Sequence, residues 1–342
     1  MDAWIRIQDY PKLGTLLDPL LGQESKVVYG KQERLQTTLP HTAYLKIAEG
    51  CSNRCTYCAI PLIRGGMNSY PIDDLVNEAS KLVNHGVKEL VLIAQDTSRY
   101  GMDKGSNQLL NLLNRLHELE GLVWIRMLYL YPKVITRDIL EGIKELPKVV
   151  PYFDIPIQHA DNDLLKRMNR IGTQEEIRQT VQDIRRVFPH AVIRTTIIVG
   201  FPGETDEQFQ TLLKFIEEIR FDRLGGFIYS PEEDTLAYTY SDDVSPELKE
   251  ERLHQVMAVQ ERISYESMQS FIGQRLDVMI ESRHPKTLEY KGRCYTMAPD
   301  DVDGFVRFNS KHLYAAGDLV RVVIDDASSF ELSGHDEKDE TL

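Results

Sequence analysis

The chain has 342 residues, 40 Lys and Arg against 53 Asp and Glu, a net charge of −13, and 42% apolar residues. This is an ordinary globular composition with material for more than one domain. Its acidity speaks against a broad nucleic-acid surface and for a basic or neutral partner. No apolar run is long enough to span a membrane, no signal peptide opens the chain, and four cysteines make no disulfide framework, so a reducing, cytoplasmic location without a membrane partner is expected.

From residue 42 the apolar residues switch between a strand period and a helix period. YLKIA (44–48) predicts a strand that enters a cysteine-rich loop, EGCSNRCTYCAI. Ile72, Leu75, Val76, Ala79, Leu82 and Val83 recur at helical spacing, and Gly86 is placed to end that helix. ELVLIA (89–94) predicts a buried strand, 108–119 a helix, WIRMLYL (124–130) a strand and 136–146 a helix. VVPYFDI (149–155) predicts the next strand, although Pro151 removes a ladder donor. Thr173 with Glu176 forms a capping box for a helix reaching Phe188, VIRTTIIVG (192–200) follows as a strand, and Thr205 with Gln208 caps another helix. RLGGFIY (223–229) predicts the last strand, and Pro246 after Ser245 opens a helix reaching about Ile272.

Six strands with crossover helices imply parallel pairing, and six units suit a partly open (β/α)6 barrel. Chemistry in such barrels sits at the C-terminal ends of the strands, where the cysteine loop, Gln95 with Asp96, Gln158 with His159, and Tyr229 with Ser230 all fall. Residues 273–332 change character: RLDVMIES, DGFVRFN and DLVRVVID predict a small antiparallel β-barrel of about five strands. The acidic stretch 333–342 is expected to be a disordered tail.

Cys51, Cys55 and Cys58 lie in one loop, and the fourth thiol, Cys294, is far away. Structural zinc takes four ligands, commonly as two separated pairs. A 4Fe–4S cluster takes one external ligand per iron, so three thiolates leave one iron open to a substrate or cofactor. An incomplete zinc site or three incidental thiols are the alternatives.

The C-x3-C-x2-C spacing, with Tyr57 before the last cysteine, resembles the radical S-adenosylmethionine (SAM) superfamily. The resemblance implies that SAM chelates the open iron and is cleaved to a 5′-deoxyadenosyl radical. IAEGCSNRCTYCAIPLIRG, LYLYP, YFDIPIQHADNDLLKRMNR, RTTIIVGFPGETDEQF, FIYSPEEDTLAY and GRCYTMAPDDVDGFV are similar to the methylthiotransferases of that superfamily. YFDIPIQH, YSPEEDT and APDDVDG most resemble the branch that methylthiolates the β-carbon of an aspartate in ribosomal protein S-twelve of the small subunit. The resemblance implies a radical SAM core over 41–272 and a TRAM-like barrel over 273–332 that contacts the ribosomal protein, together with a low-potential electron donor.

It also implies an N-terminal domain with three further cysteines for a second 4Fe–4S cluster. Residues 1–40 look like the remnant of that domain and its linker, and those cysteines are absent from this sequence. The chain alone is therefore expected to generate the radical without completing methylthiolation. The family commonly has Arg where Tyr70 stands.

Two rivals accompany this reading. One is a tRNA adenosine methylthiotransferase, which the charge disfavours: residues 270–335 hold about eight basic and about ten acidic side chains, so tRNA is not the expected partner. The other is a non-catalytic remnant that binds the ribosomal protein.

The resemblance assigns Cys51, Cys55 and Cys58 to the cluster, and Tyr57, Gln95, Gln158 and Arg194 to the cofactor. The plainer alternatives are a turn-capping role for Gln95 and a salt bridge inside the barrel for Arg194. Asn53 is expected to shape the loop, Arg64 to stabilise charge near the cluster or form a surface ion pair, and His159 to be structural. GFPGET (200–205) lacks the lysine of a phosphate loop and reads as a turn beside the cofactor. Asp300, Asp301 and Asp303 either meet a basic partner or make turns. Cys294 is expected to be a small buried apolar group, and the region of Trp4 and Tyr10 a packing face.

Overall fold

The structure, a computed structural model, describes residues 13–22 and 36–341. The chain divides into two units, Met1–Thr37 and Thr38–Leu342. In the first, helix α1 spans Leu13–Leu21, while the expected packing face around Trp4 and Tyr10 lies outside the described residues. All that follows concerns the second unit.

Strand β1 (Thr42–Lys46) runs into the short β2 (Ala48–Glu49). After the cysteine loop and helix α2 (Ile60–Arg64), β3 (Asn68–Ser69) returns antiparallel to β2. Helix α3 (Ile72–Asn84) then leads into β4 (Glu89–Ile93). The alternation continues with α4 (Leu109–His117), β5 (Trp124–Met127), α5 (Arg137–Lys144), β6 (Val149–Asp154), α6 (Asn162–Arg167), α7 (Gln174–Val187), β7 (Val192–Val199), α8 (Asp206–Ile219) and β8 (Arg223–Ile228). Strands β1, β4, β5, β6, β7 and β8 are neighbours in that order, all parallel.

The helix face of this sheet carries the main core. In β7, Ile193, Ile197 and Val199 join it, while Arg194, Thr196 and Ile198 alternate to the barrel interior. Both capping boxes form, Thr173 with Glu176 and Thr205 with Gln208. Pro151 is accommodated in β6 because the β5–β6 register shifts between Ile125 and Met127, so no regular ladder bond is lost there.

Helix α9 (Pro246–Gln269) crosses to a second, closed barrel. Its strands are β9 (Arg275–Arg283), β10 (Tyr290–Arg293), β11 (Phe305–Asn309), β12 (Leu319–Ala327) and β13 (Glu331–Asp336), in the order β10-β11-β13-β12-β9. Two expectations are corrected here. The barrel is not wholly antiparallel, because β11 and β13 pair parallel. Nor is the described part of the expected disordered tail, 333–341, without structure: Ser333–Asp336 complete β13, and Glu337–Thr341 form a 3₁₀ turn tied to Arg275 through Glu337 and Glu340. The strand's ladder bonds and these ion pairs offset the low apolar content of the segment. Cys294 is fully buried in this barrel's core.

The second barrel seals the end of the first where β4 and β5 begin. Met279 and Ala298 pack on Trp124, Val150 and Tyr152. Around them Glu89, Arg126 and Arg293 are fully buried: Glu89 accepts from Arg126 Nε at 2.9 Å and from Arg293 Nη2 at 2.6 Å, and Arg293 Nε donates to Glu281 at 2.5 Å. Among the described residues no helix is long and apolar enough to cross a membrane.

Candidate metal centre

The cysteine loop sits at the opposite end, where the parallel strands finish, and its shape begins with Gly50. This residue has φ +77°, and a Cβ there would lie 2.3 Å from the Gly66 carbonyl oxygen, so the loop closes on itself only with glycine. The Cys51 N–H donates to Gly65 O at 3.1 Å, and the Cys58 N–H to Cys55 O at 3.1 Å. Neighbouring elements pin the rest. Thr56 donates through N to Met168 O at 3.0 Å and through Oγ1 to Arg167 O at 2.9 Å. Asn169 Nδ2 donates to Arg54 O at 2.7 Å, and Ala237 N to Thr56 O at 2.8 Å. Asn53 shapes the loop by donating to Asp96 at 2.7 Å.

Cys51 and Cys58 open onto a cavity of about 370 Å³ shared with Lys46, Gln95, Tyr129 and the apolar Ile60 and Ile93. Burial pushes both thiols up from the usual thiol range. A metal that binds them must therefore displace their protons. Cys55 lies beside Arg170, whose Nη1 is 3.8 Å from Sγ and whose guanidinium stacks 4.2 Å from the Tyr131 ring centroid. Lys46 pairs with Glu49, which also meets Arg64 at 3.6 Å.

The donor set fits a cluster better than a single ion. A tetrahedral zinc ion with Zn–S bonds of about 2.3 Å would draw its sulfurs to within ~3.8 Å of one another. Among the described residues only His312, Asp336 and Asp339 gather ligand atoms within 4.8 Å of one another, so the three thiols stand wider than that. The same cavity holds Gln95, whose buried Oε1 has no hydrogen-bond partner among the described residues. A buried acceptor without a donor is costly, and a bound amino group would satisfy it.

The other predicted residues divide. Tyr57 lies under the loop, packed with Leu164, Met168, Phe201 and Tyr229, and burial holds its phenol well above the usual range. Gln158 has φ +71° and bridges the strand ends through its backbone, donating to Thr196 O and accepting from Ile198 N, both at 2.8 Å. Arg194 is linked to the cysteine cavity through Asp154, which also accepts from the backbone N–H of Tyr129 at 3.0 Å. It lies five residues, about 16 Å of extended chain, before the end of β7. It pairs with Asp154 at 3.1 Å and Asp303 at 3.5 Å, and it lines a second cavity.

Asp300, Asp301 and Asp303 are engaged within the chain by Tyr44, Lys291 and Tyr152 at 2.5, 2.6 and 2.6 Å, so they fasten a loop rather than await a partner. His159 is buried, and its Nδ1 accepts from Asp161 N at 3.0 Å. Tyr70 packs half-buried against the main core.

Sequence reasoning passed over Arg170, Lys46 and Tyr129. Arg170 follows α6 through Asn169 in the left-handed region (φ 53°), and no period in the sequence signals such a reversal.

A model of the Radical SAM superfamily matches residues 45–216, and a TRAM domain model matches 272–335. The ribosomal protein uS12 methylthiotransferase RimO of Clostridium novyi is 41% identical over 343 residues, 98% of this chain and 77% of that protein. The protein of the same name from Thermotoga maritima is 40% identical over 98% of this chain and 77% of its own length. That from Desulforamulus reducens is 46% identical over 88% and 68%.

Proposed function

The chain belongs to the uS12 methylthiotransferase family of radical SAM enzymes, and we propose that it generates a substrate radical on a ribosomal protein at the mouth of its parallel barrel. The observation that carries this is the pairing, in one cavity, of cysteine-loop thiols with the unpartnered Oε1 of Gln95.

Cys51, Cys55 and Cys58 would hold a 4Fe–4S cluster, which when bound supplies the electron for reductive cleavage of SAM. Gln95 would accept a hydrogen bond from the amino group of the cofactor. Arg170, beside Cys55, places a positive charge where negative charge increases on reduction. Ile60 and Ile93 give the cavity apolar walls that exclude water from a reactive intermediate. Tyr57 and Gln158 act from behind, the first by supporting the loop and the second by holding the ends of β6 and β7 together.

The substrate is read as the small-subunit ribosomal protein uS12, modified at the β-carbon of an aspartate. The net charge of −13 suits a basic protein better than tRNA, and the second barrel is the proposed docking element. A low-potential donor would supply the electron.

The test is anaerobic reconstitution, followed by iron and sulfide counting and an assay for 5′-deoxyadenosine. About four irons per chain with cofactor cleavage is the expected result. Zinc, or metal-free protein without cleavage, overturns the reading. Salt-sensitive tRNA binding overturns the choice of substrate.

A further inference from the structure

A second cavity, of about 450 Å³, lies between the start of β7 and β8, helix α9 and the loops of the second barrel. Arg194, Arg223, Gly225, Gln260, Asp303 and Phe330 are among its walls. Arg194 and Arg223 are direct neighbours in the β7–β8 register, and both line this cavity. Like charges placed so repel unless something compensates them.

Arg194 is compensated by Asp154 and Asp303. Arg223 is not. Four arginines are buried in the described chain: Arg126, Arg223, Arg252 and Arg293. Three pair with carboxylates, Arg126 with Glu89, Arg252 with Glu204 and Asp206, and Arg293 with Glu89 and Glu281. Arg223, only 5% exposed, has no carboxylate partner among the described residues. Its Nη1 donates to Asp222 O at 3.0 Å, its Nη2 meets the Met268 sulfur at 3.0 Å, and its Nε has no partner.

A buried charge without a counter-ion is expensive. The nearest acid in sequence, Asp222, is occupied by Ser267 Oγ and Ile193 N. Glu261, also in the wall, is exposed. On the α9 side Gln260 is 3% exposed; its Nε2 donates to Phe221 O at 2.8 Å and Ser264 Oγ at 3.0 Å, while its Oε1 is unpartnered. The cavity thus offers an unsatisfied cationic donor and an unsatisfied neutral acceptor. Its volume is in the range of small-molecule sites.

We propose that this cavity is a binding site for a small oxyanion that also carries a hydrogen-bond donor, held by Arg223 and Gln260 and distinct from the cysteine cavity. A protonated phosphate group has that chemistry. Guanidinium recognises its oxygens in a planar, two-pronged manner, and its remaining P–OH matches Gln260 Oε1. Gly225 provides the space. It follows Arg223 on the same face of β8, and a Cβ built there meets only the edge of Phe227, at 3.6 Å. A larger side chain at this position fills the cavity without disturbing the backbone.

The test is calorimetric titration of the full chain with inorganic phosphate at constant ionic strength, with chloride as the balancing anion. Saturable binding to one site is expected, weakened at least about tenfold in both Gly225→Val and Arg223→Met. Arg223→Met removes the uncompensated charge and is expected to melt no lower than the parent in chloride, so lost binding is not read as lost folding. Absence of saturable phosphate binding overturns the proposal, as does binding retained in either variant. Sulfate, which carries no proton at neutral pH, is expected to bind more weakly; equal binding removes the role given to Gln260.

Discussion

The two ends of the parallel barrel are built from the same strands but on opposite principles. At the sealed end Glu89, Arg126 and Arg293 are fully buried, and every carboxylate oxygen of Glu89 has a charged partner. At the open end Gln95 Oε1 and Asn53 Oδ1 are buried with no partner among the described residues, and Tyr129 and Gln158 hold positive φ angles of 62° and 71°. The carboxylate that joins the two barrels is thus answered on both oxygens, although Arg126 Nη2 beside it has no hydrogen-bond partner and Arg223 at the start of β8 has no carboxylate among the described residues. At the open end the unsatisfied acceptors coincide with a strained backbone, as at a site that awaits a ligand. Stability and chemistry are thereby separated along one strand direction, as in other barrels of this kind.

Substitutions at the two ends should therefore fail in different ways. The largest effect is expected from Cys51→Ala, which should remove bound iron and all 5′-deoxyadenosine formation after reconstitution. Its metal-free unfolding midpoint should stay close to the parent's, because the loop is held by backbone bonds from Gly65, Met168 and Ala237 rather than by the sulfur. Iron retained at the parental level would remove Cys51 from the centre.

Glu89→Gln should do the reverse. Two buried arginines lose their shared counter-charge, and a loss of about 3–5 kcal/mol is expected by denaturant titration, with cofactor cleavage retained in the folded fraction. Burial alone would raise the Glu89 carboxyl, but Arg293 and then Arg126 hold it down to about 2. Its contribution is therefore present above the ordinary carboxylate range and is lost as pH falls towards 2. A loss below about 1 kcal/mol would show that the sealed end is not held by this network.

The contrast between the ends was only half legible in the sequence. The strands, the capping boxes at Thr173 and Thr205 and the cysteine spacing are local patterns, and local patterns survive in a one-dimensional reading. Glu89 lies inside ELVLIA, where the apolar run predicts a buried strand but gives no sign that a charge in it is answered from Arg293, 204 residues away. Alternation placed Arg194 on a face with Thr196 and the resemblance assigned it to the cofactor, but neither shows that its guanidinium is held by Asp154 on β6 and by Asp303 of the second barrel. The parallel pairing of β11 with β13 was missed for a related reason: both strands alternate in the same way whichever direction they run.

A smaller effect should sharpen the account of the open end. Arg170→Met removes the cation 3.8 Å from Cys55 Sγ. Reduction adds negative charge to the centre, so the guanidinium favours the reduced form. Its removal should make the midpoint potential more negative, on the order of tens of millivolts, in an anaerobic potentiometric titration. Arg170→Lys, which keeps the charge but not the stacking on Tyr131, should recover most of the shift. Equal potentials in parent and Arg170→Met would leave the residue a purely structural clamp.

The smallest effect concerns a buried pair behind the cysteine loop. Glu204 accepts from Gly200 N at 2.7 Å and from Arg252 Nη1 at 3.0 Å, and its Oε2 lies 4.0 Å from His159 Nε2. Burial pushes the carboxyl up to about 7 despite Arg252, and burial pushes the imidazole down to about 4. The two work in opposite directions. A raised carboxyl gives a contribution that is full below its unfolded value of 4.5 and is lost as pH rises through 7. A lowered histidine gives one that is full above 6.5 and is lost as pH falls through 4. Between 4.5 and 6.5 the slopes largely cancel, and above that window only the Glu204 limb remains. Glu204→Gln, which keeps an acceptor for Gly200 N and leaves Arg252 with Asp206, should therefore gain on the parent by about 1 kcal/mol between pH 6 and pH 8. Denaturant curves at several pH values across that interval measure the gain. Parallel curves for the two proteins would place the raised titration elsewhere.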